Sequence, residues 1–108
     1  MEQGQEVEFI VAAGFEGMTV SGLFIEVSEV DEDGDTQVEI RGELGGLAAL
    51  PEDAMLTCII NDGAGRVVGK SDNYLSADSY VGFEVFEFHD YVSLSGGIGR
   101  IRLVLKPM

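Results

Sequence analysis

Short apolar segments alternate with clusters of Gly, Asp and Ser along the whole chain, and no segment keeps an apolar stripe at helical spacing. Successive side chains of a strand point to opposite faces of a sheet, so this pattern is typical of β-structure. We therefore predict an all-β protein with seven strands, at residues 6–12, 18–30, 36–44, 54–61, 66–75, 79–89 and 99–106.

The predicted strands differ in how their faces should be buried. Residues 36–44 alternate cleanly, with Val38 and Ile40 on the core face, which predicts a strand exposed on one side. Residues 54–61 are almost continuously apolar, which predicts burial on both faces and places Cys58 in the core. Residues 18–30 are predicted to lie centrally in a sheet, because Phe24 faces away from the other large apolar side chains.

Residues 79–89 contain an irregular apolar pattern. Phe83 and Val85 share one face, whereas Phe86 and Phe88 share the other. This switch predicts either a β-bulge near Val85 or burial on both sides.

Seven strands joined by tight turns, with one longer connection at residues 45–53, fit an antiparallel two-sheet sandwich of the immunoglobulin-like kind better than a closed barrel. The length of 108 residues is that of one domain, so residues 1–108 are predicted to form a single β-sandwich domain.

A family resemblance lies between residues 56 and 88. An apolar strand is followed by an Asp-Gly turn at Asp62, then by Gly-Arg-Val-Val-Gly at 65–69, and Gly82-Phe83 leads an aromatic strand. This order resembles the small bacterial and archaeal immunoglobulin-like domains of the FxLYD type, over about a third of the chain. The resemblance implies a non-catalytic adhesion or interaction module and brings no catalytic residues with it.

Acidic residues dominate the charge: 20 acidic against 6 basic residues give a net charge of −14. Such a charge repels nucleic acids and anionic membranes, whose binding relies on Lys and Arg. The first 40 residues hold 11 acidic and no basic residues, so their net charge is −11, and the remainder, with 9 acidic and 6 basic, has −3. One interpretation is that the charge serves only solubility.

The functional interpretation is an acidic face formed by the first two strands and the hairpin between the second and third. Its predicted partner-binding residues are Glu29, Asp31, Glu32, Asp33 and Asp35. Such a face would steer a basic protein partner, since complementary fields raise association rates. We accordingly predict a non-catalytic protein-interaction or accessory module. The alternative is an acidic nucleic-acid mimic that inhibits a basic DNA- or RNA-binding protein.

Three tyrosines suggest a second contact surface. Tyr74, Tyr80 and Tyr91 fall near predicted strand ends or loops, and aromatic residues of this kind are enriched in interfaces. We predict an aromatic partner-binding patch from them.

No cofactor is predicted, but Asp31, Asp33 and Asp35 are spaced as weak candidate ligands for calcium. The helical calcium loop would require Gly after the third acid and Glu at its twelfth position, where this chain has Thr36 and Gly42. A solvated turn is the preferred interpretation. A calcium-binding adhesion-type domain is the third functional hypothesis.

Two sequence patterns, one typical of nucleotide binding and one typical of catalysis, are rejected from the sequence alone. Residues 64–71 (Ala-Gly-Arg-Val-Val-Gly-Lys-Ser) match a relaxed phosphate-loop string, but no helix follows, so they predict a hairpin turn and its return strand. His89 and Asp90 are adjacent near Ser93 and Ser95, and neighbours on a strand face opposite sides, which prevents a triad. We predict no enzymatic activity.

The start of the chain lacks the basic and apolar regions of a secretory signal, and no segment approaches the length of a membrane helix. The single cysteine cannot form an intramolecular disulfide, which fits a reducing compartment. These features predict a cytoplasmic protein.

Overall fold

A computed structural model of the protein describes residues 6–28, 32, 34–93 and 98–108, and within the strands it leaves out the side chains of Glu6 and Ser93. These residues form seven strands, β1 (Glu6–Val11), β2 (Thr19–Val27), β3 (Asp35–Gly45), β4 (Ala54–Asp62), β5 (Val67–Leu75), β6 (Glu84–Ser93) and β7 (Ile98–Pro107). No helix in the described part of the chain has the length and apolar character that crossing a membrane requires.

The strands form two sheets, which confirms the predicted all-β two-sheet sandwich. The four-stranded sheet has the order β1-β7-β4-β5, and the three-stranded sheet has the order β2-β3-β6. The β1–β7 pair is parallel and the other pairs are antiparallel. The seventh strand lies beside β4, whereas in the immunoglobulin order the seventh strand lies beside the sixth.

The core lies between the sheets and follows the predicted alternation closely. On β4 the side chains of Leu56, Cys58 and Ile60 are fully buried, and on β7 the same holds for Ile101, Leu103 and Leu105. Between these positions, the side chains point to the outer face of the four-stranded sheet. Met55 and Ile59 are half-buried there and Thr57 is buried, so β4 is covered on both sides, as its continuous apolar sequence predicts.

The strand β3 is the centre of the three-stranded sheet. Val38, Ile40 and Leu44 are fully buried, whereas Gln37 and Arg41 are exposed. Gly42 lies on the core face between Ile40 and Leu44, and packing requires it to be small, because a Cβ atom at Gly42 would lie 2.7 Å from Cζ of Phe86. The Phe86 ring therefore occupies the space that a larger residue at position 42 would need.

The prediction of a central second strand is wrong. β2 is an edge strand of its sheet, and its pairing with β3 is irregular between Ser21 and Phe24. This irregularity coincides with Gly22, whose φ of 59° lies in the left-handed region. Phe24 is covered by the Arg41 side chain rather than by another layer of protein, with the guanidinium carbon 4.5 Å from the ring centroid.

The prediction of a bulge or two-sided burial near Val85 is also wrong. The register of β3 with β6 runs without interruption from Leu44 opposite Glu84 to Asp35 opposite Ser93. Phe83 precedes the strand, and both Phe83 and Val85 are exposed, whereas Phe86 and Phe88 lie in the core. The apolar pattern changes face because Phe83 and Val85, at or just before the start of β6, are exposed, whereas the later phenylalanines face the core.

One side of the sandwich is closed by a polar contact between the edge strands β5 and β6. The Ser71 hydroxyl donates a hydrogen bond of 2.7 Å to Oδ1 of Asp90. The other carboxylate oxygen of Asp90 is buried and accepts no hydrogen bond from the residues that the structure describes. This contact joins the two sheets at an edge that would otherwise expose strand backbone.

Candidate functional site

The outer face of the three-stranded sheet gathers acidic side chains from all three of its strands. Residues of β3 that alternate with the core positions point outward, and the register places their neighbours on β2 and β6 on the same side. We call this surface the glutamate face and define it by Glu26, Glu39, Glu43 and Glu87.

Two of these carboxylates are direct neighbours across strands. Glu26 of β2 is the register partner of Glu39 of β3. Like charges directly opposite each other destabilise a sheet, typically by a few tenths of a kcal/mol to about 1 kcal/mol. This arrangement does not serve the stability of the fold, which makes the face a candidate for recognition.

A small ionic network occupies the middle of the face. Oε2 of Glu39 lies 3.1 Å from Nε of Arg41, and Oε2 of Glu87 lies 3.1 Å from Nε2 of His89. The hydrogen bond from His89 is the main cause that lowers the pKa of Glu87 below its ordinary value. These groups are largely exposed, so the network orders side chains more than it stabilises the fold.

Apolar side chains are exposed on the same face. Phe24 is 43% exposed, Val85 64% and Tyr91 66%. Carboxylates interspersed with accessible aromatic and aliphatic groups combine the steering and anchoring elements of protein-binding surfaces.

Glu39, Glu87 and His89 could also present ligands to a metal ion. Their ligand atoms lie within 4.8 Å of one another. Nε of Arg41 lies 3.1 Å from Oε2 of Glu39, however, so a metal ion held by Glu39 would lie close to a guanidinium cation that repels it. The geometry therefore favours a side-chain network over a metal centre.

The predicted hairpin residues lie partly outside the described residues, namely Glu29, Asp31 and Asp33. Glu32 is exposed, and Asp35 is half-buried as the first residue of β3. The predicted acidic face of the first two strands needs correction, because β1 and β2 belong to different sheets. Glu26 and Glu87 were not predicted as site residues, because their grouping with Glu39 depends on long-range strand pairing.

The predicted aromatic patch is not formed. Tyr80 is 6% exposed, and its hydroxyl donates a hydrogen bond of 2.7 Å to the carbonyl of Leu47. Burial is the main cause that raises the pKa of Tyr80. Tyr74 points outward from the four-stranded sheet and Tyr91 from the three-stranded sheet, so these two exposed rings face opposite sides of the sandwich.

The structure shows where the residues of the two rejected sequence patterns lie. Residues 64–71 form the β4–β5 turn and the start of β5, as predicted. His89 is exposed on the outer face, whereas Asp90 points to the other side and binds Ser71. Cys58 is fully buried, and burial followed by the charge of Asp90 raises its pKa to about 12. A thiol with such a pKa is not a nucleophile at neutral pH.

Comparisons of the chain with known protein families, with curated proteins and with solved structures found no match.

Proposed function

We propose that this protein is a non-catalytic interaction module that binds a basic protein through the glutamate face. The observation that carries the proposal is the placement of four carboxylates on one sheet surface together with exposed Phe24, Val85 and Tyr91. Because the Glu26–Glu39 pairing opposes folding stability, a binding role gives a reason for it that solubility alone does not.

The charge would act mainly on association. A negative surface attracts a positive partner over roughly 8 Å at physiological ionic strength, and the attraction weakens as salt rises. The exposed aromatic side chains would then supply the desolvated contacts that slow dissociation. A module of this kind needs no reactive group, in keeping with the buried thiol of Cys58 and the opposite orientations of His89 and Asp90.

As part of the same proposal we place the protein in the cytoplasm, where an unpaired cysteine stays reduced. A partner that itself binds DNA or RNA would make the protein a nucleic-acid mimic. That form of the proposal predicts that nucleic acid competes with the protein for the partner.

The test is capture of partners by the immobilised full chain from native lysate at low salt, with elution by a salt gradient. A variant of the glutamate face combines Glu26→Gln, Glu43→Gln and Glu87→Gln. A matched control combines Glu8→Gln, Glu52→Gln and Asp78→Asn, three exposed positions elsewhere. Each set of three substitutions changes the net charge from −14 to −11.

We expect the wild type and the control to retain a basic protein that moderate salt releases, and the glutamate-face variant to lose it. Equal retention by all three chains, or retention only of a neutral protein that resists salt, would contradict the proposal.

A further inference from the structure

A cleft of about 430 Å³ lies at one end of the four-stranded sheet, where β4 turns into β5 and β7 begins. It lies apart from the glutamate face, because β4 and β7 belong to the four-stranded sheet and the glutamate face lies on the other sheet. The residues that line it are Asn61, Asp62, Gly63, Gly65, Gly99, Arg100 and Arg102. Asn61 and Asp62 are buried, whereas the rest of the lining is half-buried or exposed.

The wall formed by the β4–β5 turn is held by Asp62. Its Oδ1 atom accepts hydrogen bonds of 2.9 Å from the backbone N–H groups of Ala64 and Arg66. The bond from Arg66 is the main cause that lowers the pKa of Asp62. Its side chain is fully buried, with Oδ2 at 3.4 Å from Nε of Arg66. Oδ1 of Asp62 is therefore engaged within the turn, whereas Oδ2 accepts no hydrogen bond from the described residues and has Arg66 as its nearby positive charge.

The opposite wall carries an arginine held in place by Asn61. Nη2 of Arg102 donates a hydrogen bond of 3.2 Å to Oδ1 of Asn61, whose Nδ2 donates to the Gly65 carbonyl at 3.1 Å. Arg102 is half-buried, and its Nε atom is shielded from solvent and donates no hydrogen bond to any described residue. Arg102 forms no ion pair with a carboxylate among the described residues.

Arg100 adds a second positive charge to the same wall. It precedes Arg102 by two residues on β7 and thus points to the same side of the sheet. It is exposed and forms no ion pair within the described part of the chain. Close backbone packing shapes the floor, because a Cβ atom at Gly99 would collide with the carbonyl oxygen of Asp62.

This sheet face is rich in basic residues, although the chain as a whole is strongly acidic. Four of the six basic residues lie on the outer face of the four-stranded sheet: Lys70, Arg100, Arg102 and Lys106. Glu8 is the register partner of Arg102 on β1 but forms no ion pair with it among the described residues, so an oxyanion between the two guanidinium groups would supply the charge-assisted hydrogen bonds that Arg102 lacks there.

We propose that this cleft binds a small oxyanion, a phosphate or carboxylate group, between the guanidinium groups of Arg100 and Arg102. Asn61 is a positioning residue, which orients Arg102 through its amide oxygen. The site differs from a phosphate loop, since side chains rather than a helix N-terminus would hold the anion.

The experiment is an NMR titration of the full chain with inorganic phosphate and, separately, with acetate, at constant ionic strength. We expect saturable shifts of the amides at 61–65 and 99–102, and the tighter of the two anions identifies the source of the oxyanion. Arg102→Gln and Arg100→Gln should each weaken binding by about tenfold or more. Lys106→Gln, which removes the same charge from an exposed position of β7, should change it by less than about twofold.

Amide spectra would first show that each variant keeps the wild-type fold, and Arg100→Gln is the safer variant because Arg100 is exposed. Shifts that do not saturate, or an equal loss of binding in Lys106→Gln, would overturn the proposal. Unchanged binding in both arginine variants would overturn it as well.

Discussion

Reversing one charge on each sheet should have opposite effects on stability, although both variants change the net charge equally. Glu26 faces Glu39 across the β2–β3 pair, whereas Glu8 is the register partner of Arg102 in the β1–β7 pair. Glu26→Lys replaces a like-charge neighbour by an opposite one, and Glu8→Lys does the reverse. Both residues are exposed, so neither substitution disturbs the core.

The expected difference follows from cross-strand pair energies. Such pairs contribute roughly 0.2 to 1 kcal/mol, favourable for opposite and unfavourable for like charges. Each substitution exchanges one sign of pair energy for the other, so the two variants should differ by about 0.8 to 4 kcal/mol in the free energy of unfolding. With an unfolding entropy of about 2.1 cal/mol/K per residue, a chain of 108 residues gives about 0.23 kcal/mol/K. The melting temperature of Glu26→Lys should thus exceed that of Glu8→Lys by about 3 to 17 °C.

Thermal unfolding followed by circular dichroism at 10 mM and 1 M NaCl measures this difference. The gap should nearly vanish at 1 M, where the Debye length falls to about 3 Å. Equal melting temperatures at low salt, or a gap that high salt leaves intact, would refute the electrostatic assignment of these neighbours.

Three further predictions concern the core and the turn. Gly42→Ala should destabilise the protein by about 1 to 3 kcal/mol through contact with Phe86, and Phe86→Leu should relieve part of that cost in a double-mutant cycle from urea unfolding; additive effects would contradict the packing. Cys58 should resist a thiol-specific disulfide reagent at pH 8 until urea unfolds the chain, because burial raises its pKa to about 12; rapid labelling of the native protein would count against this. The pKa of Asp62 lies below its ordinary value of 3.8, so its contribution to stability is present above that pH and is lost as the pH falls through the folded pKa. The melting temperature of wild type should therefore fall more steeply below about pH 4 than that of Asp62→Asn, and parallel pH profiles would contradict this.

Strand patterns with one clear core face were predictable from sequence. Residues 36–44 alternate because one side of the strand faces the core, and the structure places Val38 and Ile40 there as predicted. The apolar run of β4 predicted burial on both faces, and the strand has only buried and half-buried positions.

The predictions that were wrong concern residues whose burial depends on contacts distant in sequence. Tyr80 precedes β6, and its hydroxyl is satisfied by a carbonyl 33 residues away, so its burial could not be read from local pattern. The large apolar side chain of Phe24 suggested a core position, but the ring lies on the outer face and is covered by the side chain of Arg41 across the strand pair.

The glutamate face was predictable only in part. The alternation of 36–44 placed Glu39 and Glu43 outward, but their association with Glu26 and Glu87 required the registers of two strand pairs. Similarly, Asn61 and Arg102 lie 41 residues apart and meet only because β4 pairs with β7.

The most direct test of the glutamate face is amide chemical-shift mapping of the protein with the basic protein that it captures. We expect the perturbed amides to lie in β2, β3 and β6 around Glu26, Glu39 and Glu87, and the glutamate-face variant to show none of these shifts at the same concentrations. Perturbations centred on β1, β7 and β5, or shifts that persist in the variant, would contradict the assignment of the binding surface.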